Sequence, residues 1–311
     1  AYARHLTSLA GTPQRLLIER EGSGRTEGFT LASVPFGAAG EIDFVIVGSK
    51  APGDLRQFAN LRAIQSTWAG VNLLLGDVGL PPDRPLARMV DRGLTVSMTE
   101  YVVFHVLDHL REGPRLRAAQ RAHRWLDVPQ RSPQSLSVGI LGLGVLGADV
   151  AAKLHALGFP LRGWSRSRKE LPGVTSFAGR EQLTACLAGV ELLICLLPLT
   201  DDTRGILDRT VFAALAPGAV LIHAARGAHL VEADLLEALE AGRLSRAVID
   251  VFAPEPLPAG HPFWRHTAVT VTPHVAAITR AGTGAEDIVA NYRRAMAGQP
   301  LINQVDRSQG Y

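Results

Sequence analysis

At 311 residues the chain has room for two domains of roughly 100–200 residues each, and little more. Its 47% hydrophobic and 20% charged residues form a globular balance that excludes a disordered chain. The net charge of +3 rests on scattered arginines with lysine only at Lys50, Lys153 and Lys169, so no basic block of the nucleic-acid-binding kind is present.

Residues 1–13 carry no readable pattern, and nothing there resembles the apolar core of a signal peptide. Leu16–Ile18, Phe44–Val47 and Leu61–Gln65 read as strands, with loops at Gly22–Gly28 and Pro81–Pro85. Val102–Leu110 is an apolar helical pattern. From about residue 135 a strand–helix alternation sets in. Strands are expected at Ser135–Leu141, Leu161–Trp164, Leu192–Leu197, Ala219–His223, Ala247–Val251 and Val269–Thr272. Helices are expected at Val145–Leu157, around Arg180–Leu187, at Thr203–Leu215 and at Glu232–Ala241, with a last one at Asp287–Met296.

Such a rhythm implies parallel, doubly wound sheets. The fold class expected is α/β with two Rossmann-like domains. The simplest arrangement lets the Val102–Leu110 and Asp287–Met296 helices cross between them. The first domain is then discontinuous, residues 1–98 completed by 277–311, around a second at 99–276. The longest apolar run, Val190–Leu199, is about half of the ~20 residues a membrane span needs. Cys186 and Cys195, the two cysteines, each lie in apolar surroundings and can build neither a disulfide framework nor a zinc site. A soluble protein of a reducing compartment is expected, with no membrane, nucleic-acid or metal partner.

Gly142, Gly144 and Gly147 stand as G-L-G-V-L-G, with Val145 and Leu146 between the last two, directly after one strand and opening a helix. The first glycine permits a tight turn, the second a close approach of backbone to a pyrophosphate, the third close helix–sheet packing. The helix N-terminus favours the negative charge. That context points to a dinucleotide site. About 20 residues on, where an acid would hold free ribose hydroxyls, the chain reads Trp164-Ser165-Arg166-Ser167-Arg168-Lys169. Guanidinium groups grip a 2′-phosphate that a carboxylate would repel. NADP(H) is therefore the expected cofactor, with NAD(H) left open.

Three ionisable residues follow later strands in small or apolar surroundings: Arg226 in AARG, Glu255 in DVFAPEP and His274 in TPHVA. They offer a fixed cation, an acceptor and a proton carrier, which are the needs of 2-keto acid reduction. Taken singly, Arg226 could be a surface residue, Glu255 a cap on a Pro-rich turn and His274 a core histidine.

The set GLGVLG, AARG, DVFAPEP and TPHVA resembles the D-isomer-specific 2-hydroxyacid dehydrogenases. WSRSRK, PGVTSFAGRE, PHVAAITR and QVDRSQGY are similar to that family's glyoxylate/hydroxypyruvate reductase A branch. The likeness is strong from about Thr99 to Tyr311. It implies an NADPH-dependent, cytoplasmic, homodimeric reductase of a small 2-keto acid, releasing the D-2-hydroxy acid. It also implies roles. Arg226 binds and polarises the substrate, Glu255 orients the histidine, and His274 is the acid/base that also touches substrate. Asp250 faces the nicotinamide amide, and Leu197, Pro198 and Ala224 line the cofactor. The substrate-carboxylate loop corresponds to Trp68-Ala69-Gly70-Val71-Asn72, where Trp68 replaces a glycine and Asn72 an aspartate. His223 stands where the branch has asparagine. Trp68 could narrow the pocket, favour an apolar substrate tail, or simply pack between domains. Two rivals follow: a reductase of a bulkier 2-keto acid by the same mechanism, and a non-catalytic dinucleotide-sensing protein of corepressor type.

Overall fold

Leu192–Cys195 (β7) consists of four fully buried residues, the signature of a strand covered on both faces. Its side chains alternate. Leu193 and Cys195 join one apolar cluster with Leu141, Leu221, Ala247 and Ile249, while Leu192 and Ile194 join another with Val138, Ile140, Val220 and Val248. The computed structural model describes residues 40, 42–48, 54–279 and 281–311. The expected strand Leu16–Ile18 and loop Gly22–Gly28 lie outside them.

The chain divides into two compact units, one of Ala1–Leu94 with Thr279–Tyr311 and one of Thr95–Ile278. The larger holds a seven-stranded parallel sheet of Val138–Leu141 (β4), Leu161–Ser165 (β5), Val174–Ala178 (β6), β7, Ala219–His223 (β8), Leu244–Ile249 (β9) and Val269–Val271 (β10). Their order is β10-β9-β8-β7-β4-β5-β6. Sequence order reverses between β4 and β7, and ligands of doubly wound sheets bind in the crevice at such a point. Helices cover both faces. Arg92–Leu110 (α2) places Met98, Val102, Val106 and Leu110 against one cluster, with Val150, Ala151 and Leu154 of Val145–Ala156 (α4). Val211 and Phe212 of Arg209–Ala214 (α6) and Leu235, Ala238 and Leu239 of Glu232–Glu240 (α7) cover the other.

Among the described residues, the smaller unit has a parallel three-stranded sheet of Phe44–Val47 (β1), Ala63–Ser66 (β2) and Leu86–Ala87 (β3). Ala285, Ile288, Val289 and Ala295 of helix Ala281–Met296 (α8) pack on Phe44, Ile46, Ala63 and Met89. That helix falls wholly in the smaller unit, while α2 gives it only Arg92–Leu94.

Other boundaries differ for local reasons. The helix expected over Thr203–Leu215 starts at Arg209, because the Asp208 carboxylate caps it by accepting from the Val211 N–H at 2.9 Å. Residues 133–135 form a 3₁₀ turn and β4 begins only at Val138. Among the described residues, no helix is long and apolar enough to cross a membrane.

Candidate active site

Gly142 follows β4 at φ +102°, a region that side chains avoid, and a Cβ there would come within 2.7 Å of the Leu196 carbonyl oxygen. A Cβ on Gly147 would collide with the Gly142 carbonyl, so α4 can approach the strand only with glycine. Gly144, the N-cap of α4, is different: its missing side chain faces open space. Two glycines answer to packing and the third leaves room for a ligand. The open N-terminus of a twelve-residue helix beside that room suits a pyrophosphate. Leu196 donates its N–H to Leu141 O at 2.8 Å, which draws the loop after β7, with Leu197 and Pro198, alongside this turn.

β5 ends at Ser165. Its hydroxyl donates to Ser167 O at 2.8 Å and closes the turn. Arg166, Ser167, Arg168 and Lys169 are exposed at that strand end. Trp164 is buried beneath, its indole N–H donating to Gly179 O at 2.7 Å.

Arg226, Glu255 and His274 stand past the carboxyl ends of β8, β9 and β10, three adjacent strands. His274 Nδ1 donates to Glu255 Oε2 at 2.8 Å, and the other carboxylate oxygen of Glu255 accepts from the Phe252 N–H at 2.8 Å. Burial opposes ionisation of Glu255. The His274 and Phe252 hydrogen bonds and the charges of His274 and Arg226 outweigh it, leaving this carboxyl below its ordinary range. Burial likewise weakens the protonation of the Arg226 guanidinium, and Glu255 counters it. Gly227 is obligatory beside Arg226, because a Cβ there would overlap the Phe252 backbone. Thus the arginine turn and the Glu255 loop touch.

Asp250 is almost fully buried and its carboxylate is occupied within the chain. Oδ1 accepts from Thr272 Oγ1 at 2.6 Å and from Val275 N at 2.9 Å, and Oδ2 from Ala276 N at 3.0 Å. Its backbone carbonyl accepts from His274 N at 2.9 Å. Burial raises its pKa against these donors. Tyr101 OH completes the chain on Thr272 Oγ1 at 2.7 Å. The histidine loop is therefore wrapped around one carboxylate, which holds His274 at φ +54°. Sequence reasoning passed over Tyr101 and Thr272, and also His229, whose buried ring contacts Arg226 and Pro198. A histidine three residues after an arginine turn was the one available signal for the last.

In the smaller unit Trp68 follows β2, 44% exposed, its carbonyl accepting from Met89 N at 3.0 Å. Ala69 and Gly70 are half-buried, and buried Val71 is the N-cap of the short helix Asn72–Leu75 (α1). Among the described residues, no cluster of His, Cys, Asp or Glu is placed to hold a metal ion.

A family model described as "D-isomer specific 2-hydroxyacid dehydrogenase, NAD binding domain" matches residues 103–276. The chain belongs to this family. The glyoxylate/hydroxypyruvate reductase A of Serratia proteamaculans is 46% identical over 86% of this chain and 88% of its own. Among solved structures, a D-isomer specific 2-hydroxyacid dehydrogenase from Xanthobacter autotrophicus, in complex with NADPH and MES, superposes with a TM-score of 0.90. It is 40% identical and covers 100% of this chain and 95% of its own. The NADPH-dependent glyoxylate/hydroxypyruvate reductase of Sinorhizobium meliloti, with NADP and sulfate, gives 0.83 at 41% identity, covering 87% and 86%. Within the D-2-hydroxyacid dehydrogenases this chain is thus of the glyoxylate/hydroxypyruvate reductase A branch, an NAD(P)-dependent oxidoreductase.

Proposed function

We propose that this dehydrogenase reduces a small 2-keto acid of the glyoxylate or hydroxypyruvate type to the D-2-hydroxy acid, with NADPH as donor. The observation that carries the reading is the 2.8 Å pair of His274 Nδ1 and Glu255 Oε2, set beside Arg226 at the sheet edge. Bound NADPH would supply the hydride from its nicotinamide C4. The Glu255 carboxylate holds the imidazole by Nδ1 and fixes its orientation. The opposite nitrogen, Nε2, gives its proton to the oxygen of the former keto group. Arg226 binds the substrate carboxylate and stabilises the negative charge growing on that oxygen. Gly142, Gly144, Val145, Leu146 and Gly147 receive the pyrophosphate, and Arg166, Ser167 and Arg168 the 2′-phosphate. Ser165 shapes their turn. Leu197, Pro198 and Ala224 line the nicotinamide, and Asp250 keeps the His274 loop in place. The loop Trp68-Ala69-Gly70-Val71 is the further candidate for binding the substrate carboxylate, through the backbone N–H groups of Ala69, Gly70 and Val71.

The test is loss of NADPH absorbance with glyoxylate and with a series of longer 2-keto acids, ranked by kcat/KM. Chiral analysis of the hydroxypyruvate product should return the D-isomer. A best substrate with a long apolar tail replaces the small-acid reading by its bulkier rival. No keto-acid-dependent oxidation at all leaves the dinucleotide sensor.

Arg226→Ala should raise KM and lower kcat together, because the same charge serves the bound carboxylate and the transition state. Lysine lacks the planar fork and should rescue little. An Arg226→Lys enzyme with wild-type constants would refute a two-pronged grip.

We also propose a homodimer. Phe104 and Trp125 are 60% and 97% exposed, and a second copy would take such side chains out of water. Light scattering should give twice the chain mass, and Trp125→Lys should shift it toward monomer. A wild-type monomer at micromolar concentration rejects the proposal.

A further inference from the structure

Beyond β8 the chain turns sharply, and two histidines converge on the backbone of Arg226. His223, the last residue of β8, is fully buried, and its Nε2 lies 2.9 Å from Arg226 O. A carbonyl only accepts, so Nε2 carries the proton. Nδ1 is buried and has no partner, as fits a neutral ring; burial pushes this histidine's pKa down to about 3, helped by His229 and Arg226. His229 closes the 3₁₀ turn Gly227–His229, also fully buried. Its Nε2 donates to Pro198 O at 3.2 Å, and its Nδ1 accepts from Arg226 N at 3.2 Å and lies 2.9 Å from Arg226 O. The Pro198 carbonyl also accepts from Thr203 Oγ1 at 2.7 Å, which fixes the loop after β7 from its other side.

Two side chains thus hold both polar backbone groups of one residue. The ring of His229 ties the turn after β8 to the loop after β7. An arginine can orient its guanidinium only as well as its own backbone is held, and here the guanidinium adds a bond to Ala225 O at 2.6 Å.

We propose that His223 and His229 are positioning residues for Arg226, and that His229 sets the arginine turn relative to the Pro198 loop. This rests on Arg226 binding the substrate carboxylate. Neither ring needs to meet the substrate. His223 does with a bulkier ring what an asparagine amide could do, since both can donate to Arg226 O, but imidazole leaves a second nitrogen in an apolar place.

The experiment is a double-mutant cycle with glyoxylate and NADPH, rates being normalised to NADPH-binding sites so that any unfolded fraction drops out. His229→Leu should lower kcat/KM by about ten- to a hundredfold, the range that a small misplacement of a binding group spans. In the Arg226→Ala background the same change should cost less than about twofold, because it acts through the missing guanidinium. His223→Leu should lose about three- to tenfold, the range of one neutral hydrogen bond, and His223→Asn should recover most of it. Equal losses from His229→Leu in both backgrounds, or Asn no better than Leu at position 223, would overturn the proposal. If Arg226→Ala itself stays near wild type, it is the assignment of Arg226 that fails, and the cycle shows this separately.

Discussion

His274→Ala should lower kcat for glyoxylate reduction by about 10²- to 10⁴-fold, the usual contribution of a positioned general acid, while NADPH affinity stays nearly unchanged. In the proposed reaction the proton must reach the nascent alkoxide, and the Glu255–His274 hydrogen bond places the imidazole to deliver it. Glu255→Gln should cost less than His274→Ala, since an amide oxygen still accepts from Nδ1 but carries no charge. Reduction consumes a proton, so its rate should fall as pH rises, and oxidation of the hydroxy acid should show the opposite trend. The acid limb has a definite sign. The folded-state pKa of Glu255 is depressed below its ordinary value, so the carboxylate that holds His274 persists through that value and is lost only as pH falls through the lower one. Single-turnover rates across pH test both statements, and a His274→Ala enzyme turning over at wild-type speed would refute the assignment.

The second large effect is expected at the turn after β5. Wild-type enzyme should prefer NADPH to NADH, and Arg166→Ala with Arg168→Ala should abolish most of that preference by weakening NADPH. Two charge-assisted bonds could give about 10²- to 10⁴-fold in kcat/KM, and both arginines are exposed, so solvent and salt place the result toward the lower end. NADH should gain little, because removing cations supplies nothing for the free ribose hydroxyls. Adding an acid by Ser165→Asp is less simple than the sequence suggests, since the serine hydroxyl closes the turn on Ser167 O. The check is kcat/KM for both cofactors at one ionic strength. A double variant that keeps its full NADPH preference means the phosphate is read elsewhere.

How far these features could be read in the sequence depends on how local their physics is. The glycine turn is local: three residues at fixed spacing, two of them required by contacts with the Leu196 and Gly142 backbone. β7 is equally plain, because burial on both faces leaves an unbroken apolar run. β6 was missed because it is an edge strand, half-exposed, whose VTSFA lacks clear alternation and follows a Pro-Gly turn. Leu86–Ala87 is too short for any period to show. Gly113–Arg121 buries only Ala119, so no apolar stripe marks it as a helix. Arg226, Glu255 and His274 were legible through their motifs, but their supports were not. Tyr101 reaches Thr272 across 171 positions, and His229 reaches Pro198 across 31. Composition and periodicity carry no record of such meetings.

The left-handed backbone at His274 decides how a stalled complex of this enzyme is best captured. An inactive variant is useful only if its loop keeps the native path, and here the loop is shaped by the Asp250 carboxylate rather than by the imidazole. Of the residues that cannot ferry a proton at neutral pH, asparagine accepts φ near +54° most readily after glycine. His274→Asn is therefore a better choice than alanine for holding keto acid and NADPH together long enough to crystallise, because it silences the chemistry without asking the chain to change course.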